Sequence, residues 1–299
     1  MMNQKHSQIN IVLHNQSNQP STHEQTIMPL IDQTFSAFVG MDELKRTIQQ
    51  IYATKVINGR REQIGLNCKN QVLHMLFKGN PGTGKTTIAR KLAQFYYDIN
   101  LLSKGHFIEA ERADVVGEYI GQTAQKTRAL IQKARGGILF IDEAYALARG
   151  GDKDFGREAI DTMVSHMENH HDDFVLILAG YSEEMETFLA LNPGLESRFP
   201  FILNFRDFTI DQLLKIAKQM VAEREYELVP EAEWKLRTHL LKFRNKTYAQ
   251  FSNARYVRNL IEHSIRMHAT RLMNKETLTA NDLIELTAED FIFDTPVSP

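Results

Sequence analysis

The chain has 299 residues, of which 42% are hydrophobic and 24% are charged, a composition typical of a globular protein with about two domains. Its 35 Lys and Arg against 37 Asp and Glu argue against a protein held on nucleic acid or an anionic membrane by bulk charge. The longest apolar run, at 174–179, is too short to cross a bilayer, and the single cysteine, Cys68, excludes an internal disulfide. We therefore expect a cytoplasmic protein that does not enter a membrane.

The N-terminal segment is mostly polar. Residues 1–34 contain 16 Ser, Thr, Asn or Gln, too many to bury the apolar surface that ordering requires, so the sequence predicts a flexible tail. Alternating residues at 8–13 leave open a short added strand. A helix is predicted over 41–58 from the spacing of its apolar residues, followed by a polar linker at 59–70.

Strand-like and helical patterns alternate after residue 70, which predicts an α/β domain over 35–206 with a five-stranded, mostly parallel sheet. No strong strand signal returns after this domain. Thr209 and Gln212 form a capping-box pattern at the start of an all-helical domain over 207–290, followed by a tail at 291–299. The predicted strands lie at 72–77, 106–108, 137–141, 174–179 and 201–205.

A glycine-rich segment at 79–86 fits the pattern G-x-x-x-x-G-K-[ST] between a predicted strand and a helix. Its glycines let backbone N–H groups face phosphate oxygens, while Lys85 supplies a cation and Thr86 a hydroxyl ligand for Mg²⁺. The alternative is a glycine-rich turn without a ligand. The nucleotide-binding residues predicted here are Gly79, Asn80, Pro81, Gly82, Thr83, Gly84, Lys85, Thr86 and Thr87.

The third predicted strand ends in two carboxylates, Asp142 and Glu143. Asp142 is placed to hold Mg²⁺, and Glu143 can orient and polarise an attacking water, because phosphoryl transfer depends on positioning and charge compensation. A strand that ends at a solvated edge in two acids is the alternative. Together with Lys85, the pair predicts an ATPase.

With both halves of this site present, residues 35–275 resemble the AAA+ ATPases, in particular the sporulation branch of the group that includes the red-type Rubisco activases. The resemblance implies a P-loop NTPase core followed by a smaller helical lid, with ATP between them. It rests on segments in the same order and spacing: 36–41, 77–86, 109–114, 117–121, 142–145, 192–199 and 252–255.

The resemblance implies roles for four further residues. Val39 and Gly40 correspond to the stretch that lines the adenine pocket, although they equally suit a helix-entry turn. Arg198 corresponds to the arginine finger, which reaches the γ-phosphate held by a neighbouring subunit, and its alternative is a surface ion pair. Arg255 corresponds to a lid arginine that touches phosphate.

This chain differs from the family pattern at the position after the fourth strand. The family often has Asn or Thr after the fourth strand to orient the lytic water. This chain offers Tyr181 or Ser182, and the sequence does not decide between them.

A loop at 117–121 corresponds to the pore loop with which AAA+ remodellers grip a polypeptide. Tyr119, Ile120 and Gly121 supply its aromatic, apolar and flexible positions. A buried tyrosine that anchors a helix start is the alternative. Residues 149–156 are expected to form a second pore loop or an ordinary surface loop.

The expected function is hydrolysis of ATP with Mg²⁺ by a ring, a homohexamer, that remodels a protein client in spore maturation. In the Rubisco-activase branch the client is an inhibited enzyme instead. One alternative is a nucleic-acid motor or loader, because residues 237–271 contain eight Lys or Arg and one acid, Glu262. Another is a nucleotide-dependent scaffold with little hydrolysis.

Overall fold

The computed structural model describes residues 22–69, 71–119, 121–150, 155–169, 174–246 and 251–293. The chain divides into two units, residues 1–37 and 38–299. In the first unit a helix, α1, runs over Thr22–Phe35, so the prediction of a flexible tail was wrong for this stretch. Ile31 and Phe35 lie one helical turn apart and are both fully buried, a spacing that the average composition of the segment conceals. The strand considered at 8–13 lies outside the described residues.

A five-stranded sheet forms the centre of the second unit, as predicted. Its strand order is β2-β3-β4-β1-β5, and every neighbouring pair is parallel. Apolar side chains fill β3 and β4, which lie between other strands and are buried along their whole length. The strands are β1 (Met75–Gly79), β2 (Phe107–Ala110), β3 (Ile138–Ile141), β4 (Val175–Gly180) and β5 (Phe201–Phe205).

Helices connect these strands. The first, α2 (Asp42–Gln63), starts where the sequence predicted but continues through Gly59 into the expected linker. A single glycine costs a helix only about 1 kcal/mol relative to alanine, and the buried residues Leu44, Ile48 and Ile51 fix the helix. The others are α3 (Lys85–Asp98), α4 (Arg112–Val115), α5 (Gln122–Ala134), α6 (Gly156–Asn169) and α7 (Ser182–Ala190), with 3₁₀ turns at Ala144–Ala148 and Glu196–Arg198.

The core of this domain lies between the sheet and its helices. Leu139 and Leu176, from neighbouring strands, belong to one buried cluster with Met163 of α6 and Phe188 of α7. Burying side chains of this size contributes about 1.5–3 kcal/mol each. The cluster therefore fixes the strand ends from which the candidate site extends.

The lid contains the predicted capping box: Thr209 Oγ1 accepts from the backbone N–H of Gln212 at 3.2 Å, and Gln212 Oε1 accepts from that of Thr209 at 2.8 Å. Two two-residue parallel strands, which the periodicity did not predict, supplement the helices. Phe291 is fully buried in the lid core, so the packed domain extends past residue 290. The elements are α8 (Ile210–Ala222), β6 (Glu227–Leu228), α9 (Pro230–Lys246), α10 (Asn253–Met273), α11 (Ala280–Ile284), β7 (Glu285–Leu286) and a 3₁₀ turn at Ala288–Asp290.

Among the helices in the described part of the chain, none is both long and apolar enough to cross a bilayer. The cytoplasmic location expected from the sequence stays a prediction.

Candidate functional site

Three parallel strands end at the same edge of the sheet and bring the predicted catalytic groups together. Strand β1 leads into the phosphate loop at 79–86, β3 into Asp142 and Glu143, and β4 into Tyr181. Strand β4 lies between β1 and β3. The carboxyl edge of a parallel sheet is where such folds bind ligands, because loops from different strands converge there.

Lys85 is the first residue of α3 and is almost completely buried. Its ammonium donates to the backbone carbonyls of Gly79 at 2.7 Å and Asn80 at 3.0 Å. Burial lowers the pKa of Lys85, whereas the nearby Asp142 carboxylate raises it. The ammonium therefore lies in a poorly solvated site with only carbonyl acceptors, and phosphate oxygens offer it a stronger, charge-assisted interaction.

The rest of the phosphate loop is compact. Thr83 is buried, and its hydroxyl donates to the carbonyl of Asn80 at 2.7 Å. Thr86 and Thr87 follow Lys85 in the first turn of α3, with Thr86 half-buried and Thr87 exposed. The N–H groups of this helix start have no helical acceptors, which makes the loop suited to an anion.

Thr86 and Asp142 are the residues available for Mg²⁺. A hydroxyl and a carboxylate oxygen are the hard ligands that this ion prefers, and it commonly takes one or two such ligands together with water and substrate phosphates. The described residues contain no group of three or more His, Cys, Asp or Glu that could hold a metal ion. The donor set here therefore fits a cation shared with phosphate.

Glu143 has an unusual backbone conformation. Its φ is +46°, the left-handed region that non-glycine residues rarely adopt, and such a conformation costs on the order of 1–3 kcal/mol. Asp142 Oδ1 accepts a hydrogen bond from the Glu143 N–H at 2.9 Å. The following 3₁₀ turn, Ala144–Ala148, is buried from Ala144 to Leu147 and holds the conformation. The exposed carboxylate of Glu143 is thereby fixed beside Asp142.

Two tyrosines lie against these charged groups. The rings of Tyr145 and Tyr181 stack with centroids 5.8 Å apart, and the Lys85 ammonium lies 5.9 Å from the Tyr181 ring centre. Burial and the negative charge of Glu143 raise the pKa of both phenols, so each keeps its proton at neutral pH and can donate it in a hydrogen bond. Ser182, the other sensor candidate, is exposed at the start of α7. The structure therefore brings Tyr181, and not Ser182, against Lys85.

The lid contacts the phosphate loop directly. The N–H of Ala254 donates to the carbonyl of Gly82 at 3.1 Å. A Cβ at Gly82 would lie only 2.0 Å from the carbonyl oxygen of Ser252, so this position requires glycine for the lid as well as for phosphate. Arg255, in the first turn of α10, is exposed, and its charge lowers the pKa of Lys85. Arg255 thus lies at the same site as Lys85.

Val39 and Gly40 precede α2 and are separated from it by Met41, with Val39 half-buried. Gly40 lines a cavity of about 330 Å³ together with Phe205 and Gln212, at the connection between β5 and the lid. Its volume is within the range of small-molecule pockets. The position suits the base of a nucleotide whose phosphates occupy the loop.

Arg198 does not join this cluster. It precedes β5, which runs parallel to β1 with Phe205 beside Gly79. Because five residues of strand span about 16 Å, Arg198 and the phosphate loop of its own subunit lie at opposite ends of the strands. There its Nε donates to Glu168 Oε1 at 3.1 Å, so within one subunit it is a surface ion pair.

The loop after α4 presents Tyr119 to solvent, with 68% of the residue exposed. This exposure rules out the alternative of a buried anchor. The N–H of Gly117, by contrast, donates to the buried Thr123 hydroxyl at 2.9 Å and fixes the base of the loop. Gly121 is exposed with φ +81°, whereas Ile120 lies outside the described residues. Residues 151–154 of the second expected pore loop also lie outside them.

Sequence comparison assigns both domains. Residues 75–207 match the model of the ATPase family associated with various cellular activities (AAA), and residues 209–298 match the AAA lid domain. The chain is 57% identical over 265 residues to stage V sporulation protein K of Bacillus subtilis (strain 168), a match that covers 88% of this chain and 82% of that protein.

More distant relatives also align with this chain over most of its length. A chloroplastic ribulose bisphosphate carboxylase/oxygenase activase of Cyanidioschyzon merolae (strain NIES-3377 / 10D) is 41% identical, with 89% of this chain and 91% of that protein covered. Protein CbbX of Cereibacter sphaeroides is 40% identical over 84% and 82%. Among solved structures, the AAA domain of FIGL-1 in complex with ADP matches with a TM-score of 0.56 at 18% identity, covering 92% of this chain and 90% of that one, which supports the fold.

Proposed function

This chain belongs to the AAA ATPase family, and we propose that it hydrolyses Mg²⁺-bound ATP to remodel a protein client. The observation that carries the hydrolysis is the convergence of Lys85, Asp142 and Glu143 at one edge of the sheet, with Arg255 of the lid facing them. Each of these side chains supplies a different requirement of phosphoryl transfer.

In the proposed mechanism Lys85 exchanges its two carbonyl acceptors for phosphate oxygens, and Arg255 adds positive charge from the lid. Glu143 orients the attacking water and accepts its proton, while the protonated Tyr181 phenol donates a hydrogen bond toward the reacting group. Mg²⁺, when bound, neutralises charge on the phosphate oxygens, and Thr86 and Asp142 are the residues that hold it. Val39 and Gly40 bind the base.

We propose that the active site is shared between subunits. Arg198 lies at the end of β5 opposite the phosphate loop and can serve a nucleotide only on a neighbouring copy. A repeated head-to-tail contact of this kind forms a ring where the rotation between neighbouring subunits closes. The family resemblance indicates six subunits. Shared sites make hydrolysis depend on assembly, which suits a machine that acts only when its ring is complete.

The basic stretch at 237–271 gives little support to a nucleic-acid motor. Arg237 pairs with Asp211 at 2.7 Å, and Arg271 pairs with the buried Asp290 at 2.7 Å. The backbone N and Cβ of Arg255 lie close to Gly82 of the phosphate loop. A scaffold with little hydrolysis is disfavoured by Glu143, because a carboxylate at this position suits the activation of a water, which binding of ATP alone does not require. The 57% identity to a sporulation protein supports a role in spore maturation, and the client stays unidentified.

Hydrolysis is tested by measuring ATP turnover per subunit over a range of protein concentrations. A shared site predicts that the rate per subunit rises with concentration as rings assemble. A rate that is independent of concentration, and unaffected by Arg198→Ala, would contradict the shared site while leaving the ATPase intact.

The proposed role of the 117–121 loop in gripping a client is tested with Tyr119→Ala. Tyr119→Phe, which keeps the aromatic side chain, is the matched control. Basal turnover is expected to change by less than about twofold, because Tyr119 is exposed and remote from Lys85 in sequence. Stimulation of turnover by an unfolded polypeptide such as casein is expected in the unmodified chain and in Tyr119→Phe, and to be lost in Tyr119→Ala. Equal stimulation of all three proteins would remove the pore-loop assignment.

A further inference from the structure

A hydrogen-bonded bridge joins three segments that meet beside the phosphate loop. The segments are the loop itself, the connection between β5 and α8, and the start of α10 in the lid. Asn253, the first residue of α10, is completely buried between them. A buried amide has to satisfy its own donors and acceptor, so its position is determined by the groups it contacts.

Both ends of the Asn253 side chain are used. Its Oδ1 accepts from the backbone N–H of Phe208 at 2.9 Å. Its Nδ2 donates to Asp207 Oδ1 at 2.8 Å, and also lies 3.3 Å from the carbonyl oxygen of Pro81 and 3.2 Å from that of Phe251. One side chain thereby contacts the phosphate loop, the interdomain connection and the lid.

Asp207 extends the bridge to the phosphate loop. The Nδ2 of Asn80 donates to both of its carboxylate oxygens, at 2.9 and 3.1 Å. The carboxylate thus accepts from amides on both sides, and hydrogen bonds to an ionised acceptor are roughly twice as strong as neutral ones. Asn80 lies 127 residues before Asp207, and Asp207 lies 46 residues before Asn253, so only the folded arrangement brings them together.

The backbone of Asn253 also points to a specific requirement. Its φ is +50°, a conformation that Asn, Asp and Gly adopt more readily than other residues. Arg255 follows two residues later in the same helical turn, where its charge acts on Lys85. The conformation of Asn253 therefore sets the direction in which the helix, and Arg255 with it, approaches the phosphate loop.

We propose that Asn253 is a positioning residue, which acts through Asp207 and Asn80 to hold the lid against the phosphate loop and place Arg255 at the bound nucleotide. This inference rests on the proposed function of the site. The bridge couples nucleotide binding in the phosphate loop to the position of the lid. Weakening the bridge at the loop or at the lid therefore lowers the affinity for ADP and loosens the other segment.

The test compares Asn253→Asp and Asn253→Gly with the unmodified full chain. Asn253→Asp keeps the backbone preference but places a carboxylate against Asp207 and the carbonyls of Pro81 and Phe251, and Asn253→Gly keeps the backbone and removes the amide. Asn274→Asp, the same substitution at the exposed C-terminal end of α10, is the matched control.

We expect the dissociation constant for ADP to rise about tenfold in Asn253→Asp and Asn253→Gly. Asn274→Asp leaves it unchanged. Amide hydrogen exchange at 79–86 and 251–258 rises in the two impaired variants. In an Arg255→Ala background, Asn253→Asp adds little further loss, because both act on the same contact.

Unchanged ADP affinity and unchanged hydrogen exchange in both variants overturn the proposal. Full additivity with Arg255→Ala also overturns it. A melting temperature measured for each variant separates these outcomes from misfolding. Failure of the proposed function gives a different result, because ADP binding is then unaffected by Lys85→Ala. Amide hydrogen exchange at 251–258, measured without nucleotide, still shows whether the bridge holds the lid.

Discussion

The carboxyl and amino ends of the parallel strands, here called the carboxyl edge and the amino edge of the sheet, differ in how their charged residues are paired. At the carboxyl edge, Lys85 lies buried against backbone carbonyls, close to Asp142 and Arg255, in a site made by one subunit. At the amino edge, Arg198 lies at the surface, where it pairs with Glu168 and donates to the backbone carbonyl of Gly194. This difference is what the proposed shared site requires, with nucleotide at the carboxyl edge and a residue for a neighbouring copy at the amino edge. Under that proposal a single subunit holds only part of the machinery.

The largest effect is expected from Glu143→Gln, at the carboxyl edge. Removal of the proton acceptor lowers turnover by about 10³-fold, whereas ADP affinity stays close to that of the unmodified chain. Phosphate release and ADP binding are measured on the same preparation. Glu183→Gln, an exposed acid in the first turn of α7, is the control and keeps full turnover. Residual turnover above a tenth of the unmodified rate would show that another group activates the water.

Arg198→Ala, at the amino edge, is expected to lower turnover by about 10²-fold without changing ADP affinity, because it removes one cation from the transition state. Mixing this variant with Glu143→Gln sharpens the comparison. Neither is active alone, but in mixed rings about a quarter of the sites combine an intact Glu143 with a neighbour's intact Arg198. Recovered turnover on mixing shows a shared site, and a mixture as inactive as its components contradicts one.

Tyr181→Phe is expected to lower kcat about fivefold, since a single hydrogen bond is lost near the reacting group while the ring against Lys85 is kept. Ser182→Ala should leave kcat unchanged. A loss of kcat in Ser182→Ala but not in Tyr181→Phe would assign the sensor role to Ser182. It would also mean that Ser182 moves toward the phosphate loop when nucleotide binds.

The smallest effect is expected from Glu168→Gln, which removes the partner of Arg198. Exposed ion pairs contribute about 0–1 kcal/mol, so the free energy of unfolding changes within that range. Turnover stays within about twofold, since Arg198 is needed by the neighbour and not by its own fold. Denaturant unfolding and ATP turnover measure the two quantities. A marked loss of stability would mean that the pair is structural and would weaken the contrast between the two edges.

The sequence predicted the sheet well because its central strands are buried on both faces and read as continuous apolar runs. It also singled out Lys85, Asp142 and Glu143, which the structure brings to the carboxyl ends of the parallel strands, because the phosphate-binding pattern is local and its chemistry restricts the residue types. The extension of α2 through Gly59 was missed because a glycine is a weak helix breaker when tertiary contacts fix the helix on its N-terminal side.

The contacts that the sequence did not reveal are those between distant segments. Tyr145 lies two residues after Glu143, but its stacking on Tyr181 depends on how β3 and β4 end beside each other. Asn253 carries no motif chemistry of its own, and its importance emerges only when Asp207 and Pro81 are brought to it. Local patterns encode groups that contact phosphate, whereas groups that hold the domains together depend on packing.

The strand order has a mechanical consequence. Strand β2, which precedes the Tyr119 loop, is the outermost strand on one side of the sheet. Strand β5, which leads into the lid, is the outermost strand on the other side. Four strand spacings separate them, a width of about 19 Å. Because a closely packed sheet deforms little, a rotation of about 10° at the lid side would displace the far side by about 3 Å. Under the proposed function, the sheet would convert a small rotation of the lid into a displacement of the Tyr119 loop comparable to the length of one residue.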